Sequence, residues 1–173
     1  SANFSLHGSK VTGDFAIPDD LYPAAIDRGQ FSRVIHNIVI NAVQAMPSGG
    51  KIRITAENTE LEKGNYYELP EGMYVAIRIR DNGPGIAQEN LKKIFDPYFT
   101  TREKGSGLGL AIVYSIVKKH AGTIALESVL GQGSCFTIII PATTLDSVEN
   151  TTAEVQIDLT GINVLFMEIG RAS

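Results

Sequence analysis

The sequence alternates between segments of helical and of strand periodicity, and this order of segments restricts the fold more than any other feature. From Asp27 to Met46, apolar residues recur at intervals of three and four, which predicts a helix of about five turns that ends before a Pro-Ser-Gly-Gly stop. Leu108 to His120 predicts a second long helix that ends near Gly122. Strands are predicted over residues 10–18, 51–58, 73–81, 123–128 and 134–140, and a short helix over residues 87–94.

Length and composition exclude several classes of protein. The chain has 173 residues, of which 43% are hydrophobic, and this suits one well-buried domain with a short appendage. A net charge of -4 provides no basic surplus for a nucleic-acid backbone. The sequence has no apolar run near the roughly 20 residues that span a bilayer, and its first residues lack a signal peptide's apolar stretch. We therefore expect a cytoplasmic protein without a membrane segment or nucleic-acid partner.

The composition also divides the chain into regions. Residues 1–142 carry the predicted elements and form the predicted domain, in which Cys135 is expected to be a buried core thiol. Residues 143–160 are rich in Thr, Ser, Asn and acids, which predicts a linker. Residues 161–173 contain one short apolar run, which predicts either a tail docked on the main domain or the first strand of a further domain.

Three amide side chains form a stripe along the first long helix. Asn37, Asn41 and Gln44 stand at positions i, i+4 and i+7, so they project from one face. A buried amide without a partner costs on the order of 1–3 kcal/mol, so this face meets solvent, other polar groups of the protein or a polar ligand. An amide oxygen can bind a hard cation, which makes Asn41 a candidate magnesium ligand.

Two glycine clusters mark possible binding loops. Asp81 directly follows a predicted strand in Asp-Asn-Gly-Pro-Gly, where it either forms a turn or accepts a hydrogen bond from an exocyclic amino group such as that of adenine. The second cluster, residues 105–110, leads into the second long helix, where free backbone N–H groups favour phosphate oxygens. The cluster lacks the Gly-Lys-Ser/Thr of a Walker P-loop, and it does not follow a strand as a dinucleotide fingerprint does. A glycine-rich loop without a ligand remains the alternative, within a mobile loop predicted over residues 95–107.

Five segments, in this order, resemble the ATP-binding catalytic domain of sensor histidine kinases, which has the Bergerat ATPase fold. FSRVIHNIVINAVQAM resembles the N box, DNGPGI the first glycine box, IFDPYFTT the phenylalanine box, GSGLGL the second glycine box and GQGSCF the final glycine turn. The similarity is greatest to the nitrogen-regulator type and the hybrid kinases near it. It implies an α/β two-layer sandwich, in which a mixed five-stranded sheet packs against three helices.

The resemblance also implies roles for individual residues. Asn41 would hold Mg²⁺, and Asn37, Arg102 and Lys104 would act with it on the phosphates of ATP, while Asp81 would accept from the adenine amino group. Phe95, Tyr98 and Phe99 would be aromatics of the lid and of a partner-facing surface, although plain packing explains Phe95 equally well. The implied ATP-binding set is Asn37, Asn41, Gln44, Asp81, Gly83, Gly85, Ile86, Phe99, Thr101, Arg102, Lys104, Gly105, Ser106, Gly107, Leu108, Gly109, Leu110 and Ser134.

The sequence departs from related patterns in three ways. Asn37 stands where gyrase, mismatch-repair and heat-shock chaperone ATPases carry a glutamate, and an amide is not a useful base near neutral pH, so strong intrinsic hydrolysis is not expected. Gln44 stands where several kinases have Lys or Arg, which puts a phosphate contact there in doubt. His7, His36 and His120 lack the sequence context of a phosphoacceptor histidine and are expected at surface or boundary positions.

The resemblance therefore implies a monomeric catalytic fragment that binds ATP and Mg²⁺. Its partners would be the dimerisation and histidine phosphoacceptor domain of the parent kinase, and a response regulator or receiver domain. The alternatives are an ATPase or serine kinase of the same fold, or a docking module that responds to nucleotide without transferring phosphate.

Overall fold

The fold consists of one mixed sheet and three helices. A computed structural model of the chain describes residues 2–5, 9–102 and 105–143, with side chains for all of these except residues 2–5. The strands are β1 (Ala2–Ser5), β2 (Val11–Ala16), β3 (Gly50–Leu61), β4 (Gly72–Asp81), β5 (Thr123–Val129) and β6 (Gly133–Pro141), and the helices are α1 (Arg28–Ala45), α2 (Gln88–Leu91) and α3 (Gly109–Lys119).

The strands lie in the order β1-β2-β3-β4-β6-β5. Only β2 and β3 run parallel among the described pairs, and α1 forms the crossover between them; the other neighbours are antiparallel. Strands β2 to β6 are the five predicted strands, and the predicted packing of a mixed sheet against three helices is confirmed. The sixth strand, β1, was not predicted, because four residues are too few to display a period; it pairs with β2 at the sheet edge.

The core fills the space between the helices and one face of the sheet. Each strand alternates between this face and the opposite one, while α1 and α3 direct their apolar stripes toward the sheet, as their periodicity predicted. Full burial of each such side chain contributes about 1.5–3 kcal/mol. The least exposed core residues are Val11, Val34, Ile35, Val39, Ile52, Ile54, Val75, Ile77, Val113, Val117 and Ile138. Cys135 is buried as expected, although it lies outside this main cluster.

The opposite face of the sheet is partly covered by the connection between β3 and β4. Both strands extend further than predicted, so the connection is residues 62–71 rather than residues 59–72. Tyr67 and Leu69 of this connection pack against a small cluster on the sheet that includes Tyr74 and Ile139. Asn65 orders the turn, because its Nδ2 donates to the carbonyls of Glu62 at 2.8 Å and Leu69 at 2.7 Å.

His120 joins the end of α3 to the start of α1. Its Nε2 accepts the backbone N–H of Asp27 at 3.0 Å, and its Nδ1 lies 2.8 Å from the Ile116 carbonyl oxygen, so the neutral ring carries its hydrogen on Nδ1. Asp27 in turn caps α1, because its Oδ1 accepts from the Gln30 N–H at 2.8 Å, and this hydrogen bond lowers the pKa of the Asp27 carboxyl. The two long helices are therefore antiparallel neighbours, and the start of α3 lies beside the amide stripe.

Candidate functional site

Asp81 ends β4 with its carboxylate in a buried position. Asp81 is only 8% exposed, and its Oδ1 accepts the Gly83 N–H at 2.8 Å. Burial raises the pKa of Asp81, and hydrogen bonds from the backbone amides of Gly83 and Ser134 oppose that rise only in part. The carboxylate therefore forms the turn to Gly83 from a buried position, where it lies between the two glycine-rich turns rather than on the surface.

Two turns approach each other so closely at this point that only glycine fits. Gly85 has a φ of +72°, and a Cβ there would lie 2.2 Å from the Val129 carbonyl oxygen. Gly133 has a φ of +90°, and a Cβ there would lie 2.0 Å from the Asp81 carbonyl oxygen. The loop after β4 and the hairpin turn between β5 and β6 therefore form one unit around the Asp81 carboxylate.

Ser128 is a residue of this unit that sequence reasoning missed. Its hydroxyl accepts the Ile86 N–H at 2.8 Å, donates to the Gly133 carbonyl at 2.9 Å and lies 2.9 Å from the Ser134 hydroxyl. Ser128 and Ser134 are both buried, so these contacts fix the two turns against each other without solvent. A single serine in a strand forms no recurring sequence pattern that would predict a functional role. Only the neighbouring glycine clusters could have indicated it.

The amide stripe forms the second part of the site. Asn37, Asn41 and Gln44 lie on one face of α1 as predicted, and Gly109 at the start of α3 lies opposite two of them. A Cβ at Gly109 would be 3.7 Å from both Asn37 Oδ1 and Asn41 Nδ2, which is ordinary van der Waals contact. The free N–H groups at the start of α3 therefore lie beside the amide stripe, where a phosphate group would meet both.

Arg102 places its guanidinium on the amide stripe. Its Nη1 donates to Asn41 Oδ1 at 3.3 Å and to Gln44 Oε1, and its Nη2 donates to the Asn41 carbonyl at 2.8 Å. Partial burial lowers the pKa of the guanidinium. Within residues 9–102 and 105–143, Arg102 forms no ion pair with a carboxylate. All three acceptors are neutral, so the positive charge of Arg102 is left without an anionic partner there.

Residues 98–102 and 105–108 have no regular secondary structure, as predicted. This segment is closed by a hydrogen bond from the Tyr98 N–H to the Gly107 carbonyl at 2.9 Å, and the Thr100 hydroxyl accepts the Arg102 N–H at 3.1 Å. Phe95 and Phe99 pack against the core, whereas Tyr98 is 77% exposed. Of the other predicted site residues, Thr101, Gly105, Ser106, Leu108 and Leu110 lie along this segment and the start of α3, whereas Lys104 lies outside the described residues.

Met46 connects the two parts of the site. It follows the last turn of α1, and a Cβ at Gly83 would lie 3.0 Å from its Cγ and 2.9 Å from Asp81 Oδ1. Asn41 precedes Met46 by about one and a half helical turns, or about 7.5 Å along the axis of α1. One helix thus determines the separation between the Asp81 unit and the amide stripe.

The donor set agrees with a single hard cation at Asn41. The described residues contain no group of three or more His, Cys, Asp or Glu side chains that could hold a metal ion by themselves. An amide oxygen suits Mg²⁺, which takes its remaining ligands from water and phosphate oxygens. Asn41 Oδ1 accepts a hydrogen bond from the Arg102 guanidinium, so the amide presents its oxygen rather than its nitrogen to this positively charged group.

A family model described as histidine kinase-, DNA gyrase B-, and HSP90-like ATPase matches residues 26–144. Sensor kinase CckA of Brucella abortus (strain 2308) is 44% identical over 127 residues, which are 70% of this chain and 13% of that protein. The signal transduction histidine-protein kinase AtoS of Escherichia coli (strain K12) is 42% identical over 125 residues, which are 72% of this chain and 19% of that protein. The chain therefore spans between about an eighth and a fifth of the length of these two relatives.

Solved structures agree with the sequence comparison. The catalytic domain of histidine kinase ThkA, in a nucleotide-free form, matches with a TM-score of 0.61 and 32% identity, over 78% of this chain and 80% of that one. Full-length ShkA in complex with AMPPNP matches with a TM-score of 0.62 and 28% identity, over 78% of this chain and 26% of that one. No helix in the described ranges is both long and apolar enough to cross a membrane.

Proposed function

Because the chain belongs to the histidine kinase-, DNA gyrase B- and HSP90-like ATPase family, we propose that residues 26–144 bind ATP as the catalytic domain of a sensor histidine kinase. The observation that carries this proposal is the presence of a buried carboxylate near one end of α1 and, beside the amide stripe, a guanidinium that has no carboxylate partner among the described residues. Asp81 supplies an acceptor for a base, and Arg102 supplies a charge for phosphates. A nucleoside triphosphate has complementary groups at its two ends, a base that can meet Asp81 and negatively charged phosphates that can meet Arg102.

The Asp81 unit recognises adenine in this proposal. The Asp81 carboxylate accepts a hydrogen bond from the exocyclic amino group, and Gly83, Gly85, Ile86 and Ser134 form the surrounding wall. Guanine presents a ring oxygen where adenine presents its amino group, so it would face the carboxylate and leave it without a donor. The preference for adenine follows from the requirement of the carboxylate for a donor rather than from the shape of the pocket alone.

The amide stripe and the start of α3 bind the phosphates. Asn41 provides the protein ligand to Mg²⁺, Asn37 lies beside the phosphates, and Arg102 contributes its positive charge. Lys104, which lies outside the described residues, is assigned to the phosphates from the sequence resemblance. The backbone N–H groups of residues 105–110 contribute at the start of α3. Gln44, Phe99 and Thr101 belong to the same wall, with Gln44 acting through its contact with Arg102.

The reaction in this proposal is transfer of the γ-phosphoryl group to a histidine of a separate phosphoacceptor domain. The bond between the γ-phosphorus and the bridging oxygen breaks, a bond to the imidazole nitrogen forms, and ADP leaves. Bound Mg²⁺ would neutralise charge on the phosphates. The chain itself contributes positioning and charge, because Asn37 cannot activate water as a carboxylate would, and this disfavours an ATPase.

The same proposal assigns the partners. The relatives named above are sensor kinases, and kinases of this kind act on a dimerisation and phosphoacceptor domain and then on a response regulator or receiver domain. His36 lies on α1 and His120 at the end of α3. Both ring nitrogens of His120 contact the backbone, at Asp27 and at Ile116. We therefore propose that the acceptor histidine lies outside the domain. From the family resemblance we also propose that the domain alone is monomeric.

Calorimetric titration with the non-hydrolysable analogue AMPPNP tests the site. We expect saturable binding that is tighter with Mg²⁺ than without, at least tenfold loss in Asp81→Asn, and loss of the Mg²⁺ dependence in Asn41→Ala. Asp19→Asn is the matched control for Asp81→Asn, because it makes the same change at an exposed position of the β2–α1 connection, and Arg33→Ala controls for truncation of an exposed side chain on α1. The proposal is wrong if the folded chain binds the analogue no better than its guanine counterpart.

A second assay separates a kinase from a docking module. The chain is incubated with γ-labelled ATP and a supplied phosphoacceptor domain of a related kinase, and acid-labile label on the acceptor is counted. Transfer that disappears in Asn41→Ala supports the kinase. Nucleotide binding without transfer to any supplied acceptor would favour a nucleotide-responsive docking module.

A further inference from the structure

The contact between Arg102 and Asn41 restricts how a magnesium ion could bind at the Asn41 side chain. Arg102 donates to the side-chain oxygen that the proposed function assigns to Mg²⁺, and it also donates to the carbonyl oxygen of the same residue. A guanidinium and a magnesium ion cannot approach one amide oxygen together without strong repulsion between their charges. Arg102 must therefore leave Asn41 Oδ1 before a metal–nucleotide complex can use it.

Gln44 provides the contact that retains Arg102 in this position. Its Oε1 accepts from Arg102 Nη1, and as an exposed neutral side chain it offers the guanidinium a hydrogen bond without neutralising its charge. Lysine or arginine at this position would repel Arg102, and a carboxylate would bind it as an ion pair. Glutamine provides an attachment of intermediate strength.

The backbone around Arg102 supports the same placement. The Thr100 hydroxyl accepts the Arg102 N–H at 3.1 Å and lies 3.3 Å from its carbonyl oxygen, while the Gly105 N–H donates to that carbonyl at 3.3 Å. A Cβ at Gly105 would lie 2.4 Å from Thr100 Oγ1, so the turn closes tightly over the Thr100 side chain. Arg102 is thus presented to α1 by local contacts as well as by Gln44.

We propose that Gln44 is a positioning residue that holds Arg102 on the Asn41 amide as a substitute cation until a magnesium–nucleotide complex displaces it toward the phosphates. This inference rests on the proposed function for its second half only. The first half concerns the nucleotide-free chain and can be tested without a ligand. Gln44 itself then makes no direct contact with phosphate, in contrast to the direct ATP-binding role implied by the sequence resemblance.

The first experiment measures the Arg102 side chain in the nucleotide-free protein. Nitrogen NMR of the arginine guanidinium groups reports hydrogen exchange and hindered rotation at Arg102, assigned by its loss in Arg102→Lys. We expect Gln44→Ala to speed exchange about fivefold, as for the loss of one hydrogen bond to a charged donor at a partly exposed site. Gln132→Ala is the matched control, since it removes an exposed amide from the β5–β6 turn. Fast Arg102 exchange in the unmodified chain would overturn the proposal.

The second experiment titrates AMPPNP with Mg²⁺ into four proteins: the unmodified chain, Gln44→Ala, Arg102→Ala and the double variant. We expect Gln44→Ala to bind about threefold more tightly, Arg102→Ala to bind more weakly, and the double variant to match Arg102→Ala. Weaker binding by Gln44→Ala would overturn the inference, because it would show a direct contact of Gln44 with the nucleotide.

The two experiments also separate this inference from the proposed function. Suppose that hydrogen exchange at Arg102 is slow, that Gln44→Ala speeds it, and that the chain binds no AMPPNP. This result would support the retention of Arg102 by Gln44 and overturn the nucleotide assignment. Saturable AMPPNP binding together with unprotected Arg102 exchange would support the assignment and overturn the role of Gln44.

Discussion

Removal of the Ser128 hydroxyl should weaken both the fold and the adenine end of the site. In Ser128→Ala, the Ile86 N–H loses its acceptor and the Gly133 carbonyl loses its donor, while Ser134 loses its hydroxyl partner. Among the described residues, the two turns around Asp81 would keep the hydrogen bond from the Gly131 N–H to the Pro84 carbonyl, the one from the Ser134 amide to Asp81, and close backbone contact. We expect the Asp81 carboxylate to become less well positioned as a result.

The expected magnitude follows from the hydrogen bonds that are lost. A buried donor left without an acceptor costs about 1–3 kcal/mol, and a typical hydrogen bond adds about 1 kcal/mol. The free energy of unfolding should therefore fall by about 2–3 kcal/mol. For a domain of this size, that corresponds to a decrease in Tm of about 6–12 °C.

The assay compares urea unfolding and AMPPNP binding in three variants. Ser128→Thr keeps the hydroxyl and should recover most of the affinity, whereas Ser128→Ala should bind the analogue about tenfold more weakly and discriminate less against guanine. Thr137→Val is the matched control, because Thr137 is another buried hydroxyl residue, on β6 but away from the Asp81 turns. Equal affinity of Ser128→Ala and the unmodified chain at a temperature where both are folded would refute the reasoning, as would a loss of stability below about 0.5 kcal/mol.

Two further predictions concern the same end of the site. Burial raises the pKa of Asp81 above 3.8, so the folded chain keeps the proton at pH values where the unfolded chain releases it. The free energy of unfolding should therefore fall as the pH rises from about 3.8 through the elevated pKa. Urea unfolding measured across this pH range should show a smaller fall in Asp81→Asn. Gly85→Ala should destabilise the chain by about 3 kcal/mol, from a left-handed φ plus a backbone clash. Gly131→Ala, with φ of +78° and open space around it, should cost only about 1–2 kcal/mol in the same urea assay, and equal costs would contradict the steric argument.

The elements whose residues repeat with a regular period could be predicted from the sequence. The apolar period placed α1 and α3 within a residue of their observed ends, and the glycine clusters indicated the turns that meet around Asp81. These features are local, because a helical stripe or a left-handed turn is recorded in adjacent residues. The predicted short helix was too long, since only Gln88–Leu91 is helical, and nothing in residues 87–94 stops a helix as clearly as Pro-Ser-Gly-Gly does.

The contacts that complete the site could not be predicted in this way. Ser128 binds Ile86 across 42 positions, Arg102 binds Gln44 across 58, and His120 binds Asp27 across 93. None of these pairs leaves a pattern in the residues next to it, and each depends on how the sheet and helices are arranged. The division of residues 143–173 into a linker and a further segment stays a prediction, because residues 144–173 lie outside the described residues.

The continuity of α1 from Asn41 to Met46 has a thermodynamic consequence. A ligand held at the Asp81 unit presents its other end to the amide stripe at a high effective concentration, because a rigid helix rather than a flexible linker spans the distance. The two ends of a nucleotide bound in the proposed way would then act as a chelate, and its affinity would exceed that of adenosine and pyrophosphate as separate molecules. A helix of fixed rise would also discriminate by length, so that the spacing of the polyphosphate from the base, and not only its charge, determines which nucleotide is retained.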